Sequence, residues 1–541
     1  MRPFIIIIYL LVCSRMIAVP LSGTYTIGGL IPDFVSINSA ITALDSNGVN
    51  GSVIFNIRDG IYNEGLKINS IPGASSINTI TFQSENHDST LVELNFTTNS
   101  TQQNGIFLNK AKYIRFHQIS LVQPPSTSNS SVIFINRGNY LSFTNCNVRG
   151  NGYSTSSQSD YVIRGCCDTG MVIRNCNLSG GFDGVYLSSI NANAFNLVVE
   201  KNHFFNISHD ILSLNQCYYS EVSNNIIDGI NSGGGTSRGI IFQNVYQTNV
   251  FNNIITILNA QLNTCGIQII SSNGTALNHS KVYNNLISVT INPFNTIVYG
   301  VRCNTTSNYD FCNNNISMYG GSSVNTGFAL DISGTNYGID SLLILNNIIA
   351  RFDNNLTASV IKTALTGPNV RSDYNLIYSA YGLIAPTYSS FSQYQTSTLR
   401  DAHSISIDPQ FFSTINLQAN AWQLINAGTP MSYIFEDILG DIRNPLHPSI
   451  GAYENSMLTR VESKSFTQEN SEIICYPNPA ISSINFGHIF SKNIIVQNSL
   501  GEIVFSKQNC DDSETIDLSG FVNGLYFMRV VNEKSLKFIK K

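Results

Sequence analysis

Charge is the first thing this sequence is short of. Lys, Arg, Asp and Glu make up 12% of its 541 residues, about half the usual share. The formal net charge is −5 and no cluster of Lys and Arg occurs. That excludes nucleic acid as a partner, because phosphate binding needs a dense basic surface. Apolar runs are short as well: Phe4 to Val12 stops at nine residues, where a bilayer needs roughly 20, so no transmembrane segment is expected. HExxH, P-loop, dinucleotide and nucleophile-elbow motifs are all missing, as is any acidic run with calcium-loop spacing. The cysteines never pair as CxxC, so a zinc site is not expected, and the sequence does not say whether a cofactor is bound. Asn, Ser, Thr and Ile fill the composition instead, which suits strands joined by tight turns better than helices.

The N-terminus carries Arg2, the apolar run and then small residues near Ala18. This predicts a secretory signal peptide over residues 1–19 and export by the Sec route. Leu10 to Cys13 faintly resembles a lipoprotein signal, with Val12 bulkier than that pattern favours. Cysteines beyond the signal could form disulfides in an oxidising compartment.

One phrase recurs down the chain: an apolar residue, a variable one, Asn-Asn, then two apolar residues. It reads VSNNII at Val222–Ile227, VFNNII at Val250–Ile255, VYNNLI at Val282–Ile287 and ILNNII at Ile344–Ile349. Weaker copies begin at Phe143, Ile173, Val199 and Phe311, and the last is Tyr374-Asn375-Leu376-Ile377. Its second Asn position falls at Cys146, Cys176, Asn202, Asn225, Asn253, Asn285, Asn314, Asn347 and Asn375, in steps of 23 to 33 residues. A repeat of that length, without helical periodicity, predicts a solenoid of three short strands per coil, with coils about 4.8 Å apart. An inward Asn amide at the turn would bond the backbone and its own copy one coil away, and a buried thiol fits the same slot. Cys146 and Cys176 would then lie one coil apart, as a disulfide or as stacked thiols. A second phrase precedes each marker, beginning at Asp183, His209, Arg238, Cys265, Tyr299 and Thr326, with its third and fifth residues facing inward. Gly/Ser-rich stretches such as 232–237 read as surface loops.

Val53 to Tyr62 and Glu64, after a predicted capping strand near Gly23–Gly29 and a short helix over Ile37 to Leu44, resemble the opening of right-handed parallel β-helix proteins of the pectin-lyase-like superfamily. Asp437 to Arg443 and Ile450 to Glu454 resemble the last coil of secreted bacterial members, with Asp437, Asp441, Arg443 and Glu454 bracing the cap. The resemblance implies an all-β fold, a right-handed parallel β-helix over residues 20–454, and is silent on chemistry, since that superfamily holds lyases, hydrolases, esterases and adhesins. Residues 455–470 lose the pattern and read as a linker. After them come Cys475-Tyr-Pro-Asn-Pro-Ala480, a hairpin over Ile494 to Phe505, the strand ending GLYFMRVV, and a Lys-rich terminal strand. This order resembles the type A sorting domain of the type IX secretion system, a small Ig-like β-sandwich over residues 471–541. It implies a partner in the type IX machinery and a product released outside the cell or held on its outer surface.

On the aligned phrase, Asp183, His209 and Arg238 share one column on three successive coils, with Asp210 adjacent. A carboxylate, an imidazole and a guanidinium in a row could bind an acidic sugar and move its proton. The plainer reading is that any exposed column holds such residues, and a one-residue slip would separate them. Tyr186, Tyr218, Tyr219, Tyr246 and Tyr299 are candidate stacking surfaces for sugar rings. Two functions follow: a glycan-binding or adhesive surface protein, or a polysaccharide lyase or hydrolase. Convergent groups with shifted pKa values would favour the enzyme, and a face of Asn, Thr and Tyr would favour binding.

Overall fold

The computed structural model describes residues 19–96, 104–123, 130–150, 160–189, 194–230, 236–260, 263–292, 297–304, 306–320, 327–333, 341–353, 358–363, 370–388, 390–454, 474–476, 480–487, 494–498, 502–507, 513–530 and 535–541. Most of the signal peptide with Cys13, the linker 455–470, most of the 232–237 loop, Thr326 and the Pro-Asn-Pro of the tail lie outside the described residues. Two compact units are present, Met1–Met457 and Leu458–Lys541.

The first unit is a parallel β-helix. Each coil contributes one strand to each of three parallel sheets, in chain order the first, second and third, and two coils add a short second strand to the third, Ala194–Phe195 and Cys217–Tyr218; among the described residues the sheets have 13, 12 and 13 strands. The N-terminal end is closed by Leu21–Ile27 and by the helix Ile37–Asn47. Ser36 caps that helix in a reciprocal pair with Ser39, and Ile37, Ala40, Ile41 and Leu44 are buried. The Glu64 carboxylate accepts from the Ile37 and Asn38 N–H groups at 3.1 and 2.9 Å, satisfying donors left open at a helix start.

The two Asn of the repeat do different jobs. The first adopts a left-handed conformation at the sharp turn between first and second sheets, with φ of 55° at Asn224, 56° at Asn252 and 53° at Asn284. Asn tolerates that region better than most side chains. The second points inward and forms a continuous amide ladder. Asn253 Nδ2 donates to Asn285 Oδ1 at 2.9 Å, Asn285 Nδ2 to Asn314 Oδ1 at 2.9 Å, and each also donates to a carbonyl of the preceding coil. Cys146 and Cys176 occupy the same slot as free thiols, and the Cys146 N–H points at Cys176 Sγ, 3.4 Å away.

The closing segment is not a last coil. Beyond Leu376–Ser379, the last strand of the helix unit, and the helix Phe391–Thr398, the chain doubles back as a strap along the side of earlier coils. The turn asparagines hold it there: Asn284 Nδ2 donates to Glu436 O, Asn313 Nδ2 to Gly451 O and Asn346 Nδ2 to Thr429 O, at 2.9, 3.1 and 2.7 Å. Asp437, Arg443 and Glu454 brace this strap. Arg443 is buried and bonds Glu454 Oε2 at 3.2 Å and Asn284 Oδ1 at 2.9 Å. Asp437 accepts from the Asp441 and Glu454 N–H groups.

The second unit has a three-stranded and a four-stranded antiparallel sheet. They enclose one core built from Ala480, Ile484, Phe486, Ile494, Val496, Ile516, Leu518, Tyr526, Met528 and Phe538.

Candidate functional site

On the third sheet, the strands Asp183–Ser188, Asp210–Asn215 and Arg238–Gln243 lie side by side. Val185 pairs with Leu212, which sets Asp183 level with Asp210, and Asp210 pairs with Arg238. The column is therefore Asp183, Asp210 and Arg238, and the expected place of His209 is one residue out. The cause is a corner position that Gly184, Gly239, Gly266 and Gly300 occupy on the other coils. A Cβ on Gly239 would meet Gly266 O at 2.5 Å, and one on Gly266 would meet Gly300 O at 2.6 Å. In the His209 strand Ile211 holds that corner, so no Gly marks it and the phrase slips. Phe328 continues the column beyond Tyr299, with Ala329 taking the corner.

His209 nevertheless joins the cluster. Its N–H donates to Phe182 O at 2.9 Å and its ring stacks on Phe182, centroids 4.7 Å apart. That stacking aims Nδ1 at Asp183 Oδ1, 2.8 Å away, with Asp210 Oδ1 at 3.5 Å. Asp183 Oδ1 also accepts the Asp210 N–H at 3.0 Å. Arg238 grips Asp210 with both ends of its fork, Nε to Oδ1 and Nη2 to Oδ2 at 2.7 Å each, and Nη1 donates to Gln268 Oε1 at 3.1 Å. Such bidentate pairs are among the strongest protein hydrogen bonds.

Burial opposes the imidazolium of His209, but its bond to Asp183 and the charges of Asp210 and Asp183 outweigh it, and the pKa is raised. Burial raises Asp210 too, against the pull of Arg238. Asp183, His209 and Asp210 offer ligand atoms within 4.8 Å of one another. A metal there would have to displace a bidentate guanidinium from Asp210, so the donor set suits Arg238 better than an ion.

Sequence reading missed three members of this face. Tyr161 stands beside Asp183 on the preceding coil, with the Arg164 guanidinium 4.9 Å over its ring, and its hydroxyl is raised by burial and then by the Asp183 charge. Gln268 is the third. Column membership across coils would have found all three once the register was known. The five tyrosines divide. Tyr186 is on this face near Tyr161, and Tyr299 is too, though only 7% exposed beneath Arg302. Tyr218, Tyr219 and Tyr246 lie elsewhere, in the turn toward the first sheet, where Tyr218 stacks on Tyr246 at 4.8 Å.

Residues 474–541 match the family model described as secretion system C-terminal sorting domain. The tail is a sorting domain. A sorting domain of this type IX kind implies export, and a mature protein that is secreted or held at the surface. No helix among the described residues is long and apolar enough to cross a membrane. No curated protein matches the chain. Among solved structures, the chain is similar to pectate lyase Pel9A, at 15% identity and a TM-score of 0.34, covering 81% of this chain and 98% of that one. A XylC structure in complex with xylose matches at 10% identity and a TM-score of 0.41, covering 80% and 98%. The Dettilon tailspike protein matches at 14% and 0.37, covering 70% of this chain and 66% of its own. These likenesses concern the fold alone.

Proposed function

We propose that the exported helix, residues 20–454, is a glycan-binding surface protein whose Asp183–His209–Asp210–Arg238 face holds an acidic polysaccharide, with residues 455–470 as linker to a sorting domain over 471–541. The observation that carries this is the use made of the two carboxylates. Asp210 spends both oxygens on Arg238, and Asp183 Oδ1 is taken by His209 and the Asp210 N–H. What the cluster has left to offer is chiefly donors: unused N–H groups of the guanidinium and, when the imidazole is protonated, the second ring N–H of His209. Tyr161, Arg164 and Tyr186 extend the face with aromatic surface and a further cation, the mix that suits acidic sugars.

A second reading is acid–base catalysis. It is favoured by the convergence of His209 and Asp183 at 2.8 Å with a shifted imidazole, since a carboxylate-held His is a common proton carrier. The test incubates the full chain with acidic and neutral polysaccharides, following both retention and unsaturated or reducing-end products. Retention without products, weakened at least tenfold in Arg238→Ala, is the expected result. Products that disappear in Asp183→Ala and His209→Ala would replace binding with catalysis.

A further inference from the structure

A separate cleft of about 640 Å³ opens on the outer face of the first sheet, within the range of small-ligand sites. Its floor is made by alternate residues of neighbouring strands. Thr81, Arg115 and Ser142 form one column, and His117, Thr144 and Arg174 form the next. One wall is a pair of stacked rings, Tyr113 on Tyr140, 4.8 Å apart and 5° from parallel. None of the lining residues is acidic.

The cations differ in how they are held. The Arg115 side chain, on an exposed residue, has no hydrogen-bond or ion-pair partner among the described residues. Arg174 shares its charge with Glu200 at 2.7 Å and keeps 45% of its side chain exposed. They stand two strands and two residues apart, about 12 Å at the usual strand spacings. Between them, His117 Nδ1 is 2.7 Å from Thr144 Oγ1. Burial and then the neighbouring His87 lower the His117 pKa, so the imidazole supplies hydrogen bonds and not charge at neutral pH.

We propose that this cleft is a second saccharide site, which takes a segment of acidic polysaccharide with its anionic groups on Arg115 and Arg174 and a sugar ring against Tyr113 and Tyr140. The geometry is that of a repeating ligand. Hydroxyl and cationic side chains recur at the strand spacing along a floor that runs with the stack of coils. Carboxylated and sulfated sugars share this chemistry. The site lies on another sheet from the Asp183 cluster and uses none of its residues, so it does not depend on the reading of that face.

The experiment is calorimetric titration of the full chain with three hexasaccharides: a uronate, a sulfated one and a neutral one. The uronate or the sulfated hexamer should bind with a salt-sensitive Kd, and which of them does so identifies the anionic group. Arg115→Glu should weaken that binding at least tenfold and Tyr113→Ala several-fold, with the thermal midpoint unchanged because both lie at the surface. In Arg238→Ala the binding lost to Arg115→Glu should persist, whatever becomes of the other face. Failure of both acidic hexamers to bind would overturn the proposal. So would wild-type affinity in Arg115→Glu, or a neutral hexamer binding as tightly as the acidic ones.

Discussion

The early and late coils of this helix are held together by different means. In the first sheet Phe55, Phe82, Phe116 and Phe143 stack ring on ring, centroids 4.9 to 5.5 Å apart. Beyond them the column turns aliphatic: Ile173, Val199, Val222, Val250 and Val282. The turn slot changes at nearly the same place. Ile119, Cys146 and Cys176 fill it early, and Asn fills it from Asn202 to Asn375. Aromatic burial is strong but indifferent to which coil lies next. An amide ladder is directional, so it specifies the neighbour as well as attracting it. The Asp183–Arg238 cluster sits where one device gives way to the other, on coils whose slots hold Cys176, Asn202 and Asn225.

The largest effect should come from the aromatic half. Phe116→Ala removes a fully buried ring from the middle of the stack and should cost about 3–5 kcal/mol. It would be read from the denaturation midpoint together with amide exchange of the neighbouring strands, since solenoids need not unfold in one step. Asn285→Leu tests the other half by giving a late coil an early-coil slot. It strips the Asn253 N–H of its acceptor and leaves Nδ2 only its carbonyl partners, and an orphaned buried donor costs about 1–3 kcal/mol. A loss below about 1 kcal/mol, on the same measurement, would reduce the ladder to space filling.

At the junction, Asp183→Asn weakens the hydrogen bond that does most to hold the His209 proton, so the His209 pKa should fall, as followed by NMR titration. The sign of the stability effect follows. A raised folded pKa contributes stability that is fully present below the ordinary value of 6.5 and is lost as pH rises through the folded pKa. The variant should lose about 1.5 kcal/mol in the acid range and little above it. Smallest of all is Cys176→Asn, which would lengthen the ladder by one coil. Its Oδ1 could accept the Cys146 N–H now pointed at sulfur, so stability should change by no more than about 1 kcal/mol, upward if the ladder is the better device.

Much of this was legible in the chain itself, and the misses have definite causes. The Asn-Asn phrase announced the coils because a buried amide and a left-handed turn leave few alternatives to Asn. Its two positions were not separable without φ angles, and so the first Asn, which also ties down the strap, went unexplained. His209 was placed one residue out because Ile211 takes a corner where neighbouring coils carry Gly. The strap was taken for a last coil because Asp437 to Arg443 and Ile450 to Glu454 resemble one in secreted bacterial members, while its partners Asn313 and Asn315 lie far back in the sequence.

By itself, then, the sequence determined the repeat, the inward faces, the slot residues and the sorting tail, because each rests on local pattern and on residue types with few substitutes. The tertiary structure alone decided which residues of different coils meet. Contacts such as His209 with Asp183 or Arg238 with Gln268 depend on register between strands some 26 to 30 residues apart. With a side-chain period of two, one corner residue is enough to shift that register.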